Sequence, residues 1–268
     1  MAIVRTLKVG DETLLMRQAG HAGPCVLLIH SLGTSSELWV PQLCALEDSF
    51  QVLAIDARGH GGSSNLGGFT VEKCANDALE VLTALDISEV HLVGISMGGL
   101  IAAELASLMK DQNKPQCKSI VLACSYRSLK GPQSQARLDA TRAVLSHQNM
   151  ASFAETYIKE TACASMPADT RKTLERCIAG MTPDNYLQTL AEILFHDAGP
   201  ALSRLQDIPA LVLSGALDRR VSSEALASLL EAIPGHQHVW LESAGHLANA
   251  EDPAGFTASL VNFWTSLH

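Results

Sequence analysis

Apolar and polar positions follow two rhythms along this 268-residue chain. Residues 6–9 and 13–17 alternate in polarity on either side of Gly10-Asp11, the pattern of an edge β-hairpin with its turn at that pair. Further on, the strand-like runs are apolar throughout: 25–29, 51–55, 90–93, 120–123, 210–213 and 238–241. Strands covered on both faces read this way. Between most of them apolar residues recur at helical spacing, over 38–46, 71–85, 100–109, 223–233 and 254–267. This alternation predicts an α/β fold, a mostly parallel central sheet flanked by helices.

One interval breaks the rhythm. Residues 125–205 contain no strand pattern, only helical segments at 135–145, 150–161, 170–179 and 185–194, the last with Leu187, Leu190 and Leu194 on one face. A parallel sheet keeps its ligands at the carboxyl ends of its strands, so an insertion leaving Cys124 and returning before Pro209 should roof that edge. The expected organisation is a core of residues 1–124 and 206–268 with a helical cap of 125–205. A separate small domain is the competing reading, but no Gly-, Ser- or Pro-rich linker bounds the segment.

With 47% hydrophobic residues the chain can bury a large core. Its net charge of −9, without a run of Lys or Arg, excludes tracking of a phosphate backbone, so no nucleic-acid partner is expected. No apolar stretch approaches the roughly 20 residues that span a bilayer, and residues 1–6 lack the apolar core of a signal peptide. A soluble, cytoplasmic protein without membrane association is the expectation. The seven cysteines form no C-x-x-C pair and are odd in number, which reads as reduced thiols in place of a disulfide framework.

Against this background, Val93-Gly94-Ile95-Ser96-Met97-Gly98-Gly99 stands out. It sets a serine between glycines where a strand pattern over 89–93 meets a helix pattern, and a tight elbow there would project the Ser96 hydroxyl outward while side chains at 94 and 98 would collide with neighbouring backbone. A serine hydroxyl is a weak nucleophile without a base, and the base needs an orienting acceptor. Asp218 lies just past the 210–213 strand, and His246 lies in the loop past 238–241. The order Ser96, Asp218, His246 thus suits a nucleophile, acid and base converging from three strand ends. Asp218 has a plainer alternative as a helix cap near Ser222 or a partner of Arg219 or Arg220. His30 and His60, also at strand ends, read as supporting residues near the mouth of the site.

An oxyanion would need donors. The amide of Met97, at a helix start, and that of Leu32, in the loop His30-Ser31-Leu32-Gly33-Thr34, are the candidates. No metal-ligand motif occurs, His236 and His238 having no third partner, and the glycines around Ser96 lack the Lys-Ser/Thr of a phosphate loop. No cofactor or metal is expected.

These residues resemble the α/β-hydrolases, and in particular the 3-oxoadipate enol-lactonase group. The likeness runs nearly end to end and is carried by His30-Ser-Leu-Gly-Thr34 with Trp39-x-Pro41-Gln42, by Asp56-Ala-Arg-Gly-His-Gly-Gly-Ser63, by Gly94-Ile-Ser-Met-Gly-Gly-Leu100, and by Ala244-Gly-His246-Leu-Ala-Asn249-x-Glu251-x-Pro253. The resemblance implies an α/β-hydrolase fold, Ser96 as nucleophile, His246 as base then acid, Asp218 as its partner, the Leu32 and Met97 amides as oxyanion hole, and no cofactor. It also implies a small-molecule ester or lactone as substrate. A lactone bearing a carboxylate would call for a basic group near the strand ends, for which Arg127 is the candidate, with His30 as a second substrate contact. Carbon–carbon bond hydrolases and cofactor-free perhydrolases share such a triad. A slow-turnover ligand sensor acting through a protein partner is the alternative from a different class.

Overall fold

The computed structural model describes residues 2–112 and 115–267. Its centre is an eight-stranded sheet in the order β1-β2-β4-β3-β5-β6-β7-β8. The hairpin of β1 (Ile3–Val9) and β2 (Glu12–Ala19) is antiparallel and joins β4 (Gln51–Ile55) antiparallel at its other edge. From β4 onward every pairing is parallel, through β3 (Cys25–Ile29), β5 (Glu89–Ile95), β6 (Gln116–Ala123), β7 (Ala210–Gly215) and β8 (Gln237–Leu241). The apolar runs are the interior strands: every residue of β3 and β7 is buried, whereas the edge strand β8 is only partly covered. β6 starts four residues before its apolar run, because Gln116 to Ser119 pair along β5 before the strand dips under helices.

Helices α1 (Val40–Leu46), α2 (Val71–Ala84), α3 (Met97–Met109), α9 (Ser223–Ala232) and α10 (Pro253–Thr265) pack on the sheet. α3 is buried along nearly its whole length. The first helical segment is split, with a 3-10 turn at Ser36–Trp39 before α1 proper begins at Val40 with Pro41 in its first turn. Among the described residues no helix is long and apolar enough to cross a membrane.

Between β6 and β7 the chain forms α4 (Pro132–His147), α5 (Met150–Thr161), α6 (Ala168–Ala179), α7 (Pro183–Phe195) and the short α8 (Gly199–Ser203). Side chains of Asn149 and Thr182 cap α5 and α7. α4 lies on α7 and α5 on α6, and Phe153, Tyr157 and Tyr186 stack to join α5 to α7. α8 instead packs on α3 and α9, so the end of the insertion already belongs with the helices on the sheet. β3 sits between β4 and β5, so successive strands leave it in opposite directions. In open α/β sheets the crevice at such a reversal, outside the carboxyl ends, holds the ligand. The loops after β3 and β5 are those that carry Leu32 and Ser96.

Candidate active site

β5 ends at Ile95, and Ser96 turns the chain directly into α3 with φ 54° and ψ −117°, a conformation that costs a non-glycine residue about 1–3 kcal/mol. Close approach of backbone explains the flanking glycines. A Cβ on Gly94 would stand 2.1 Å from the carbonyl oxygen of Gly98, and one on Gly98 would stand 2.1 Å from that of Ile29. The elbow is fixed from behind as well: the Ser96 amide donates to the Ala123 carbonyl at 2.8 Å, and the Ser125 hydroxyl donates to the Ser96 carbonyl at 2.9 Å.

The three residues singled out from the chain's order meet here. The Ser96 hydroxyl lies 3.0 Å from Nε2 of His246, and Nδ1 of His246 lies 2.9 Å from Oδ2 of Asp218. With the ring proton on Nδ1 facing the carboxylate, Nε2 is left to accept from the serine. Asp218 also performs the plainer loop duty considered above: its other oxygen accepts from the amides of Arg220 at 2.7 Å and Val221 at 3.2 Å, while Ser222 caps α9. Burial works against ionisation of Asp218, but the hydrogen bond and charge of His246 and the two amides outweigh it and hold the carboxyl below its usual range.

The loops are braced by residues whose part the sequence motifs left open. Glu251 accepts from the amide of Gly245, beside the histidine, and at 3.0 Å from that of Cys163 after α5, tying the His246 loop to the insertion. Asn249 donates to the Leu38 carbonyl at 3.0 Å, and Gln42 donates to the Asn249 carbonyl at 3.0 Å. Asp56 takes the amides of Ser36 and Gly62 at 2.6 and 2.9 Å, joining the loops after β3 and β4. Each belongs to a motif segment, but only their long-range pairing reveals the task.

His30 is part of the same bracing. Its side chain is fully buried, Nδ1 donates to the Ser31 carbonyl at 2.8 Å, and Nε2 accepts from the Ala57 amide at 2.9 Å. Both ring nitrogens are occupied, and burial pulls its pKa down to about 4. His60, 5.1 Å away ring to ring, is likewise held neutral near 3 by burial and by His30. Both support loops, in keeping with the sequence reading of the pair as supporting residues, and neither is among the residues that line the cavity at Ser96.

A cavity of about 20 Å³ touches Ser96, walled by Leu32, Tyr126, Arg137, Tyr157, Arg220 and His246 together with two apolar side chains. Arg127 is not in this wall. Its guanidinium pairs with Asp197 at 3.1 Å on the surface, with a side chain 42% exposed, so the basic group expected at the site is elsewhere. Arg137 of α4 and Arg220 after β7 occupy that place. Sequence periodicity gave no signal for either, since a helical arginine at 137 reads as a solvated face. The amides of Leu32 and Met97 have no acceptor among the described residues, Met97 because the first turn of a helix offers none. Both residues flank the serine from the loops predicted to supply donors. A potential metal-ligating group, Glu72, Glu192 and His196, gathers at the seam of α2 and α7 and includes none of the residues around Ser96.

Sheet order, elbow and converging side chains define a class, and comparison with known proteins agrees: a sequence profile for the alpha/beta hydrolase fold matches residues 24–253, so the chain belongs to that family and is an α/β-hydrolase enzyme. Among its relatives is 3-oxoadipate enol-lactonase 2 of Acinetobacter baylyi, 27% identical over 94% of this chain and 92% of that one. Another is a provisionally assigned carbamate hydrolase, RutD, of Stutzerimonas stutzeri, 28% identical over 89% of this chain and 91% of that one. Among solved structures, the enol-lactonase from Burkholderia xenovorans LB400 superposes with a TM-score of 0.83 at 27% identity, covering 97% of this chain and all of that one.

Proposed function

We propose that the chain is a serine hydrolase of carboxylic esters or lactones, with 3-oxoadipate enol-lactone as the first candidate substrate. The observation that carries the reading is the continuous line Ser96–His246–Asp218, at 3.0 and 2.9 Å, set on an elbow held in a strained conformation. Strain at such a position persists only where the surroundings over-determine it, and here it aims the hydroxyl at the cavity.

In this mechanism the Ser96 oxygen attacks the carbonyl carbon as its proton passes to Nε2 of His246. Asp218 keeps the ring oriented and stabilises the imidazolium that forms. The developing oxyanion rests on the Leu32 and Met97 amides, the latter at the positive end of α3, and each such donor is worth about 3 kcal/mol of barrier. His246 then gives its proton to the leaving oxygen, which in a lactone stays on the same molecule. A water attacks the acyl-enzyme with His246 again as base, releasing the acid and restoring Ser96. Relatives named for a lactone and for carbamates differ in the bond cleaved, and the same steps serve both.

The test is a panel compared by kcat/KM: enol-lactones, simple lactones, short acyl esters and an alkyl carbamate. The proposal expects multiple turnovers on an ester or lactone, abolished in Ser96→Ala. Product limited to less than one equivalent per protein would favour a sensor over an enzyme of this type.

A further inference from the structure

The cavity at Ser96 is too small for a substrate, since about 20 Å³ is room for roughly one water. Its outer wall separates it from a larger cleft of about 260 Å³ between α4, α5 and α7, and Arg137, Tyr157 and Arg220 line both spaces. These three side chains are therefore the partition between the cleft and the nucleophile. They are not held alike. Arg220 stacks on Tyr157 at 4.6 Å and donates to the Thr161 hydroxyl at 2.9 Å, with Glu160 at 3.7 Å. Arg137, a half-buried residue, has no carboxylate within 4.0 Å and no side-chain hydrogen bond among the described residues. Beside it the hydroxyl of Tyr126, a residue 3% exposed and on the same cavity wall, has no hydrogen-bond partner. A guanidinium with no ion-pair partner and a buried phenol with no acceptor, both on the wall of the cavity that touches Ser96, are a pair of donors that lack an anion.

We propose that Arg137 and Tyr126 form a carboxylate subsite beside Ser96, and that the physiological substrate is an ester or lactone carrying a free carboxylate, admitted from the α4–α5–α7 cleft when the Arg137 side chain swings aside. This rests on the hydrolase reading above and narrows its substrate class. Arg137 is the movable part of the partition, because swinging it breaks no ion pair, whereas Arg220 must leave Thr161 and Tyr157. The planar fork of the guanidinium matches a carboxylate through two parallel N–H donors, and the tyrosine hydroxyl adds a third.

The experiment compares 4-nitrophenyl butyrate with mono-4-nitrophenyl glutarate, alike at the scissile bond but neutral and anionic at the far end. Wild type should prefer the glutarate. Arg137→Met should lower kcat/KM on the glutarate about 10- to 100-fold while changing the butyrate less than about threefold, Arg137→Lys should keep part of the preference, and Tyr126→Phe should cost the glutarate about 5- to 10-fold. Equal losses on both esters, or a wild type that favours butyrate, would overturn the subsite and leave the hydrolase reading standing. A binding arm is independent of turnover: glutarate should raise the melting temperature of Ser96→Ala, and not that of Ser96→Ala/Arg137→Met. If neither these esters nor any member of the lactone, ester and carbamate panel is cleaved but this Arg137-dependent shift appears, the hydrolase reading fails and the subsite survives; without the shift, both fail.

Discussion

The two walls of the cavity at Ser96 are built on opposite terms. On the sheet side the side chains that set the geometry have their partners: both oxygens of Asp218, both nitrogens of His246, the amide and carbonyl of Ser96, and both oxygens of Asp56 are engaged, and among the described residues the Leu32 and Met97 amides beside the serine are left open. On the insertion side, Tyr126 and Arg137 face the same space without acceptors. Saturated networks hold geometry, and unsatisfied buried donors are costly unless a ligand completes them. Under the proposed mechanism the sheet edge fixes how a bond is broken, and the insertion is left to choose the molecule.

Breaking the sheet-side network should have the largest effect. Ser96→Ala or His246→Ala should reduce kcat about 10⁴-fold or more, and Asp218→Asn about 10³- to 10⁴-fold, with thermal unfolding little changed, as stopped-flow turnover and calorimetry would show. A structural challenge comes next. Gly98→Ala places a methyl 2.1 Å from the Ile29 carbonyl, a rigid strand end, and should cost more than about 4 kcal/mol, seen as loss of cooperative unfolding by circular dichroism. Ser96→Gly moves the other way. It removes the nucleophile but relieves the positive-φ strain, so the inactive variant should melt about 1–5 °C above wild type.

The smallest effect concerns the seam between the two regions. His196, at the end of α7, donates from Nε2 to Glu104 of α3 at 3.1 Å and turns Nδ1 toward Glu72 of α2 at 3.5 Å and Glu192 at 4.0 Å. Burial disfavours its charged form, but Glu104, Glu72 and Glu192 together raise its pKa above the ordinary 6.5. A raised folded value means the stabilisation is fully present below the unfolded pKa and fades as pH rises through the folded one. The difference in melting temperature between wild type and His196→Gln should therefore be largest in mildly acidic buffer and shrink toward alkaline pH. A difference independent of pH would show that His196 packs at the seam without carrying charge there.

The same contrast governs what the sequence discloses. The interior strands were legible because burial on both faces writes continuous apolar runs, and the elbow because Gly94 and Gly98 are demanded by contacts of a few ångströms. Asp218 and His246 were found by their places after strands. Arg137 and Arg220 were not, since a helix arginine and a loop arginine acquire meaning only when α4 folds over the strand ends. Arg127 follows the strand end at Cys124 closely in sequence, but Asp197, seventy positions later, pairs with it on the surface. The bracing role of His30 is hidden for the same reason: the Ala57 amide that occupies its Nε2 comes from another strand end. Long-range polar pairing leaves no periodic trace.

The most direct test of the account is labelling with a fluorophosphonate, followed by intact mass and peptide mapping. The geometry predicts one equivalent per chain, on the Ser96 peptide, absent in Ser96→Ala and slowed about 10³-fold or more in His246→Ala, which lacks the base. Folded protein that takes up no label, or takes it at a serine other than Ser96, would contradict the central claim.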